Sequence, residues 1–242
     1  MKNQMMTYSI NPIAFIHSPY KEKFTVPRQS GLNKVQSEIV FQFNNEEEKL
    51  RLRGLENFSH LWVTFIFHLI DEQKANEHNL TRPPRLGGNE KMGIYATRSP
   101  HRPNRIGLSL VKIHQINDHS ISIIGGDFVD GTPVIDIKPY IPEYESIPHA
   151  KSGWLNNIES EHSLNEEYQV DFSLLPTNTL KNEEQETICE ILKRDPRPSF
   201  KRKSVENDEE ILGVYLLDYN VSFKIDSVQK KVFILEIKAN TP

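Results

Sequence analysis

Through its first 140 residues the chain sets out short segments rich in β-branched and aromatic residues, each bounded by Gly, Pro, Asn, Asp or Ser. No other feature limits its fold as strongly. "YSINPIAFIHS" (8–18), "SEIVFQF" (37–43), "MGIYAT" (92–97), "IGLSLVKI" (106–113), "HSISIIGGD" (119–127) and "TPVIDIK" (132–138) alternate or cluster such residues, as strands do. "SHLWVTFIFHLI" (59–70) is apolar nearly throughout, which predicts a strand buried on both faces. One helix fits between them, over "EEEKLRLRGL", with Asn45 as its cap and glutamates at its positive end. Many short strands and few helices predict a mainly β chain, folded as a single-sheet β-barrel. No G-x-G-x-x-G follows a strand and opens a helix, so nothing supports a Rossmann unit.

Past "KPYIPEYESIPHAKSG" (138–153) the sequence loosens into polar, proline-containing stretches. This places a boundary between a barrel domain at 1–150 and a linker with a small α+β domain at 151–242. The second part is expected to hold a helix near 178–193, with Ile188, Ile191 and Leu192 on one face. Two strands, "ILGVYLLDYNVSFKI" and "KKVFILEIK", should follow around a turn near Ser227. Charge divides along the same line: the formal net charge of −4 conceals +1 over residues 1–150 and −5 over 151–242. Two basic islands, residues 82–105 and "KRDPRPSFKRK" (193–203), each carry a net +5. Localised cations on an acidic chain predict contact with a polyanion rather than general stickiness. A single cysteine, Cys189, leaves neither a disulfide framework nor a Cys-based metal site to expect. No apolar run approaches a membrane span, and "MKNQMMTYSI" has no signal-peptide apolar region, so a cytoplasmic chain with neither membrane nor metal is expected.

The loops carry the chemistry. In "ATRSPHRPNRIGLS" (96–109) the spacing of Arg98, Arg102 and Arg105 would stack them on a helix, but Pro100 and Pro103 oppose one. A stiff loop displaying three guanidiniums beside two strands is the expectation. "TRPPRLGGN" (81–89) adds Arg82 and Arg85 to Pro-Pro and Gly-Gly. Gln29, Ser30 and Gly31 offer an amide, a hydroxyl and a close-approach backbone, although an ordinary turn would read the same way. Asp130, Gly131 and Thr132 make a turn ahead of a strand bearing Asp136 and Lys138, and Asp-Gly is itself a common hairpin turn. His60 and His68, eight apart on one apolar segment, read as hydrogen-bonded histidines of one strand face rather than metal ligands. No Ser/His/Asp triad or zinc spacing is present. The residues by themselves predict an anion or nucleotide site on barrel loops.

Five blocks in order, "HSPYKEKFTVPRQSGL", "GLENFSHLWVTFIFH", "RPPRLGGN", "GIYATRSPHRPNRIGLS" and "VDGTPVIDIKPYIP", resemble the TsaA-like family, whose bacterial members include tRNA (adenine-N6)-methyltransferases. The C-terminal "DPRPSFKR" and the strands after it resemble the small extra domain of the enterobacterial-type members. This resemblance implies a single-sheet barrel that binds S-adenosylmethionine, is a homodimer, and methylates N6 of the threonylcarbamoyl-adenosine just 3′ of the anticodon in tRNA. It implies cofactor contacts from Gln29, Ser30, Gly31, Phe67, His68, Arg98, Leu108, Asp130, Gly131 and Thr132. Phe67 and Leu108 would sandwich adenine. Asp136, with Asp130 in reserve, is the expected proton acceptor. Arg82, Arg85, Arg102 and Arg105, together with Lys201, Arg202 and Lys203, are expected on RNA phosphates. Arg105 and Ser30 stand where the family usually has proline. The competing reading is a non-catalytic tRNA- or nucleotide-binding barrel, which would keep the cations and need no cofactor pocket; a nucleotide hydrolase would need a metal or nucleophile that the sequence does not offer.

Overall fold

The computed structural model describes residues 7–73, 79–83, 90–157, 167–177, 179–197, 208 and 210–239. Its first part contains β1 (Ala14–His17), β2 (Gln36–Phe41), β3 (His60–Ile66), β4 (Leu80–Thr81), β5 (Met92–Gly93), β6 (Ile106–Ile116), β7 (Ser120–Ile124) and β8 (Pro133–Pro139). All pairings are antiparallel in the order β1-β2-β7-β6-β3-β8, and β8 returns to pair with β1, so the six strands close on themselves. β4 and β5 form a separate two-stranded ribbon. Burial alternates along the strands: in β3, Leu61, Val63 and Phe65 are buried while His60, Trp62, Thr64 and Ile66 are partly exposed. The segment is therefore buried on one face, not on both as its composition suggested, because Trp62 and Ile66 stand on the outside of the ring. The inward set, including Ile16, Ile39, Leu61, Val63, Ile121 and Ile123, forms one apolar core. Each such side chain contributes about 1.5–3 kcal/mol through burial.

Two further expectations need correction. Residues 46–55 do not form one helix: a 3-10 segment, Glu46–Leu52, is interrupted before a second turn, Leu55–Asn57, by Gly54 at φ 92°. Asn45 does cap it, its Oδ1 accepting the Glu48 N–H at 3.1 Å. "MGIYAT" contributes only the two residues of β5 before turning at Ile94–Ala96. There Thr97 Oγ1 donates to the Ile94 carbonyl at 2.9 Å and closes the turn locally.

After a single helical turn, α1 (Pro142–Glu145), the C-terminal part comprises β9 (Gln169–Asp171), α2 (Asn182–Leu192), β10 (Leu212–Leu216), β11 (Tyr219–Asp226) and β12 (Lys231–Ala239). Its sheet has the order β10-β11-β12-β9, with β9 parallel to β12. The stretch read as one strand over 211–225 is a hairpin, reversed at Leu217 with φ 54°. Ile188, Ile191 and Leu192 of α2 pack on this sheet, as their spacing predicted. At the turn between β11 and β12 lies a buried ion cluster. Arg197, 0% exposed, is held by Asp195 at 2.8 Å, Asp208 at 2.8 Å and Ser227 at 2.9 Å.

Candidate active site at the barrel rim

β1, β3 and β7 end, and β2, β6 and β8 begin, at the same rim of the ring. The antiparallel order therefore delivers the 18–35, 67–105 and 125–132 connections to one place. That gathering unites every implied cofactor segment. Gly31 N–H donates to the Gly125 carbonyl at 2.8 Å, and both glycines sit at positive φ, 79° and 83°. A Cβ on Gly125 would lie 3.3 Å from the Asn33 carbonyl and 3.4 Å from Gly31, so the two backbones approach closely at Gly125, whose positive φ also favours glycine. Asp130 clips the other end of the same loop, accepting the Ser18 N–H at 2.8 Å and Lys21 Nζ at 2.7 Å. Lys23 Nζ reaches the Leu69 carbonyl at 2.5 Å. Phe67 N–H bonds the Arg105 carbonyl at 2.8 Å, and its ring meets Phe65 edge-on at 5.0 Å. Next to it, His68 lies beyond β3 in a turn, so it does not share a strand face with His60 as expected. Burial, and then the nearby Lys23 charge, hold its imidazole below the usual pKa. His60 stays on the outer face of β3, against Ser59 Oγ at 2.9 Å and edge-on to Tyr140. Thr132 is buried, its hydroxyl donating to the Val129 carbonyl at 2.6 Å.

Asp127 is the residue that sequence reasoning missed. Ser109 Oγ donates to its carboxylate at 2.5 Å. Burial pushes its pKa up, while the Ser109 bond, the Arg98 charge and the Ser30 backbone N–H pull the other way. One carboxylate thus bonds the strand carrying Leu108, interacts with the Ser30 backbone and lies within the electrostatic reach of Arg98. The Gly-Gly pair before it, a sign of close backbone approach, was the signal that could have found it.

The remaining residues take distinct places. Arg98 is exposed, and Leu108 is 54% exposed on the outer face. Register puts Asp136, Thr64 and Leu108 in one row across β8, β3 and β6. Asp136 pairs with Lys138 on that face. Arg82 is exposed. Arg102 turns back on its loop, Nη1 donating to the Thr97 carbonyl at 3.2 Å. Arg105, at φ 52°, donates to the Ile70 carbonyl at 3.0 Å and to Glu72 at 2.6 Å, so its guanidinium ties down the 67–72 turn. In the second basic island, Lys193 and Arg194 pair with Glu167, and Arg197 is internal. Arg85, Lys201, Arg202 and Lys203 lie outside the described residues. Among the described residues no group of three or more His, Cys, Asp or Glu is placed to hold a metal, and no helix is long and apolar enough to cross a membrane.

A closed antiparallel β ring, with a guanidinium, a partly buried carboxylate and an exposed leucine towards one rim and an α+β unit beside it, places the chain among mainly β proteins built on a barrel. Comparison with known proteins narrows it. A family model described as the tRNA-methyltransferase O N-terminal domain matches residues 15–146, and the TrmO C-terminal domain matches 165–240. The chain is 39% identical over 240 residues to a tRNA (adenine(37)-N6)-methyltransferase of Escherichia coli, covering 96% of this chain and 99% of that one. It is 38% identical over 144 residues to a probable S-adenosyl-L-methionine-binding protein of Pyrococcus abyssi, covering 60% and 74%. A crystal structure of TrmO from Pseudomonas aeruginosa superposes with a TM-score of 0.73 at 28% identity, over 97% of this chain and 100% of that one. The chain belongs to the TrmO family.

Proposed function

We propose that this chain transfers a methyl group from S-adenosylmethionine to N6 of the adenine 3′ of the tRNA anticodon, in its threonylcarbamoylated form. Family membership over nearly the whole chain supports the reaction. The observation that carries the location is the convergence of Gln29–Gly31, Phe67–His68, Arg98 and Asp130–Thr132 on one rim, where the Asp127 carboxylate, bonded to Ser109, lies under the influence of the Arg98 charge. The chemistry of the rim fits the cofactor. Exposed Arg98 suits its carboxylate through a charge-assisted bond, and exposed Leu108 with Phe67 offers apolar surface for adenine. When bound, S-adenosylmethionine supplies an electrophilic methyl on a sulfonium. The S–CH3 bond breaks as the N6–CH3 bond forms, S-adenosylhomocysteine leaves, and the N6 proton passes to an acceptor. The N6 lone pair is delocalised into ring and carbamoyl, so positioning by the rim loops supplies most of the acceleration. Asp136, on the Leu108 row, is the proposed proton acceptor. Asp130, already held by Ser18 and Lys21, orders the loop. Arg82 and Arg102, with Arg85, Arg105 and Lys201–Lys203, are the proposed phosphate contacts.

The finer architecture follows the same reading: a single-sheet barrel domain over 1–150, a C-terminal domain over 151–242, and a cytoplasmic homodimer. The outer face of β3 and β6 away from that row, where Trp62 and Leu110 stand side by side, supports pairing of two copies there. Calorimetry tests the cofactor site. The parent should bind S-adenosylmethionine at about micromolar strength, roughly −8 kcal/mol, and Arg98→Ala should weaken this by about 1.5–3 kcal/mol. Absence of heat from the parent at high concentration, or unchanged affinity in the variant, contradicts the assignment.

A further inference from the structure

The 18–35 loop belongs to the barrel in sequence, but its apolar side chains do not pack there. Tyr20, 0% exposed, and Val35, 3% exposed, are buried in the core of the C-terminal sheet, with Val26 packed against it; none of the three joins the barrel core. The main chain is shared: the Tyr20 and Val35 carbonyls accept the Asp130 and Gly125 N–H groups of the barrel at 2.8 and 3.0 Å. Tyr20 forms a β-bridge with Leu216, and Leu217 N–H donates to the Pro19 carbonyl at 2.9 Å. At the far end of the loop, Glu190 of α2 accepts the Lys34 N–H at 2.9 Å, while its other oxygen is fixed by Lys193 at 2.8 Å. Within the loop, the Tyr20 hydroxyl accepts from Asn33 Nδ2, and Asn33 Oδ1 accepts the Val35 N–H at 3.4 Å. Burial pushes the Tyr20 pKa far up and keeps that hydroxyl protonated. Both ends of the loop are thus joined to each other and to the C-terminal unit. Its middle leans the other way, on Gly125 and Asp127 of the barrel.

We infer that Tyr20 and Glu190 are positioning residues through which the C-terminal sheet and α2 hold Gln29–Gly31 in the conformation that receives the cofactor. This rests on the reading that the loop contacts S-adenosylmethionine. An irregular loop must lose conformational entropy to present ordered groups, and the C-terminal contacts bear part of that cost before the ligand arrives. Without them a smaller fraction f of molecules is competent, and the apparent Kd rises as 1/f. The coupling is reciprocal: whatever stiffens the C-terminal unit, a bound tRNA included, raises cofactor affinity, and cofactor raises affinity for that partner by the same factor.

Calorimetry with S-adenosylmethionine and steady-state methyl transfer on the full chain test it, using Glu190→Ala, Glu190→Gln, Tyr20→Phe and Gln29→Ala. Glu190→Ala should raise Kd and KM for S-adenosylmethionine about tenfold while kcat at saturation and the thermal midpoint stay near the parent's. Glu190→Gln, whose amide oxygen still accepts the Lys34 N–H, should restore affinity to within about twofold. Tyr20→Phe keeps the ring in the core, removes the acceptor for Asn33, and should raise Kd in the same direction, so it decides the matter even where Glu190→Ala fails to fold. Unchanged Kd in Glu190→Ala and Tyr20→Phe, with weaker binding in Gln29→Ala, overturns the inference alone. Unchanged Kd in all of them overturns the cofactor assignment of the loop and the inference with it. A fall in kcat at constant KM marks a merely structural role and also overturns it.

Discussion

The barrel and the C-terminal unit are both sheets with one apolar face, yet they complete their cores differently. The barrel closes on itself: β8 pairs with β1, and the inward residues of six strands fill the space between them. The C-terminal sheet leaves its face open, covers it with α2, and borrows Tyr20 and Val35 from the chain's first part. It also buries an ion pair, Arg197 between Asp195 and Asp208, where the barrel's inward set is apolar apart from hydroxyls such as Ser37 and Ser109. A closed sheet can therefore leave its loops for chemistry. An open one takes a loop as packing material and so gains a hold on it.

Changes that strike each core in its own weak place sharpen this contrast. Arg197→Ala should have the largest effect, since it leaves two inward carboxylates without their cation; about 3–5 kcal/mol of stability should be lost. Denaturant titration checks it, and a loss under about 1 kcal/mol would place the cluster outside the folded core. In the barrel, the Phe65 ring covers Gly107, where a Cβ would come within 2.6 Å of three ring carbons. Gly107→Ala should therefore cost about 1–3 kcal/mol through overpacking, measurable as a lower thermal midpoint with an unaltered far-ultraviolet spectrum. Asn45→Ala removes an exposed cap and should cost at most about 1 kcal/mol, read in the same melt.

Asp127 gives the smallest change, one of slope. Its folded-state pKa is raised by burial against the pull of Ser109 and Arg98, so the native state holds this proton more tightly than the unfolded chain. Between the ordinary carboxylate pKa and the raised one, its contribution makes stability fall as pH rises, and above that window the penalty is constant. Asp127→Asn should remove that fall and leave a flatter stability profile across mildly acidic pH. A parent whose stability relative to this variant rises with pH there contradicts the burial argument.

Much of the fold was legible because the strand residues announce themselves by period and type, and the Ile188, Ile191 and Leu192 face of α2 by spacing. What failed did so for identifiable reasons. Trp62 and Ile66 made β3 look buried on both faces, although composition cannot say which way a large apolar side chain points. Leu217 hid a hairpin inside an apolar run because only its positive φ marks the turn. The site was legible as loops, since five motifs carried it, but not as a network. Asp127 carries no unusual neighbour in sequence beyond two glycines, and Glu190 meets Lys34 across 156 positions, a separation no local pattern encodes.

The central claim is a specific methyl transfer at this rim. It is tested most directly by incubating the protein with radiolabelled S-adenosylmethionine and tRNA, either threonylcarbamoylated or an unmodified transcript, and mapping the label by nuclease digestion and mass spectrometry. Label should appear on N6 of the modified adenosine 3′ of the anticodon, should be absent from the unmodified transcript because that transcript lacks the threonyl carboxylate the rim guanidiniums are proposed to bind, and should fall sharply in Arg98→Ala. Equal labelling of the unmodified transcript, or full labelling by Arg98→Ala, would contradict it.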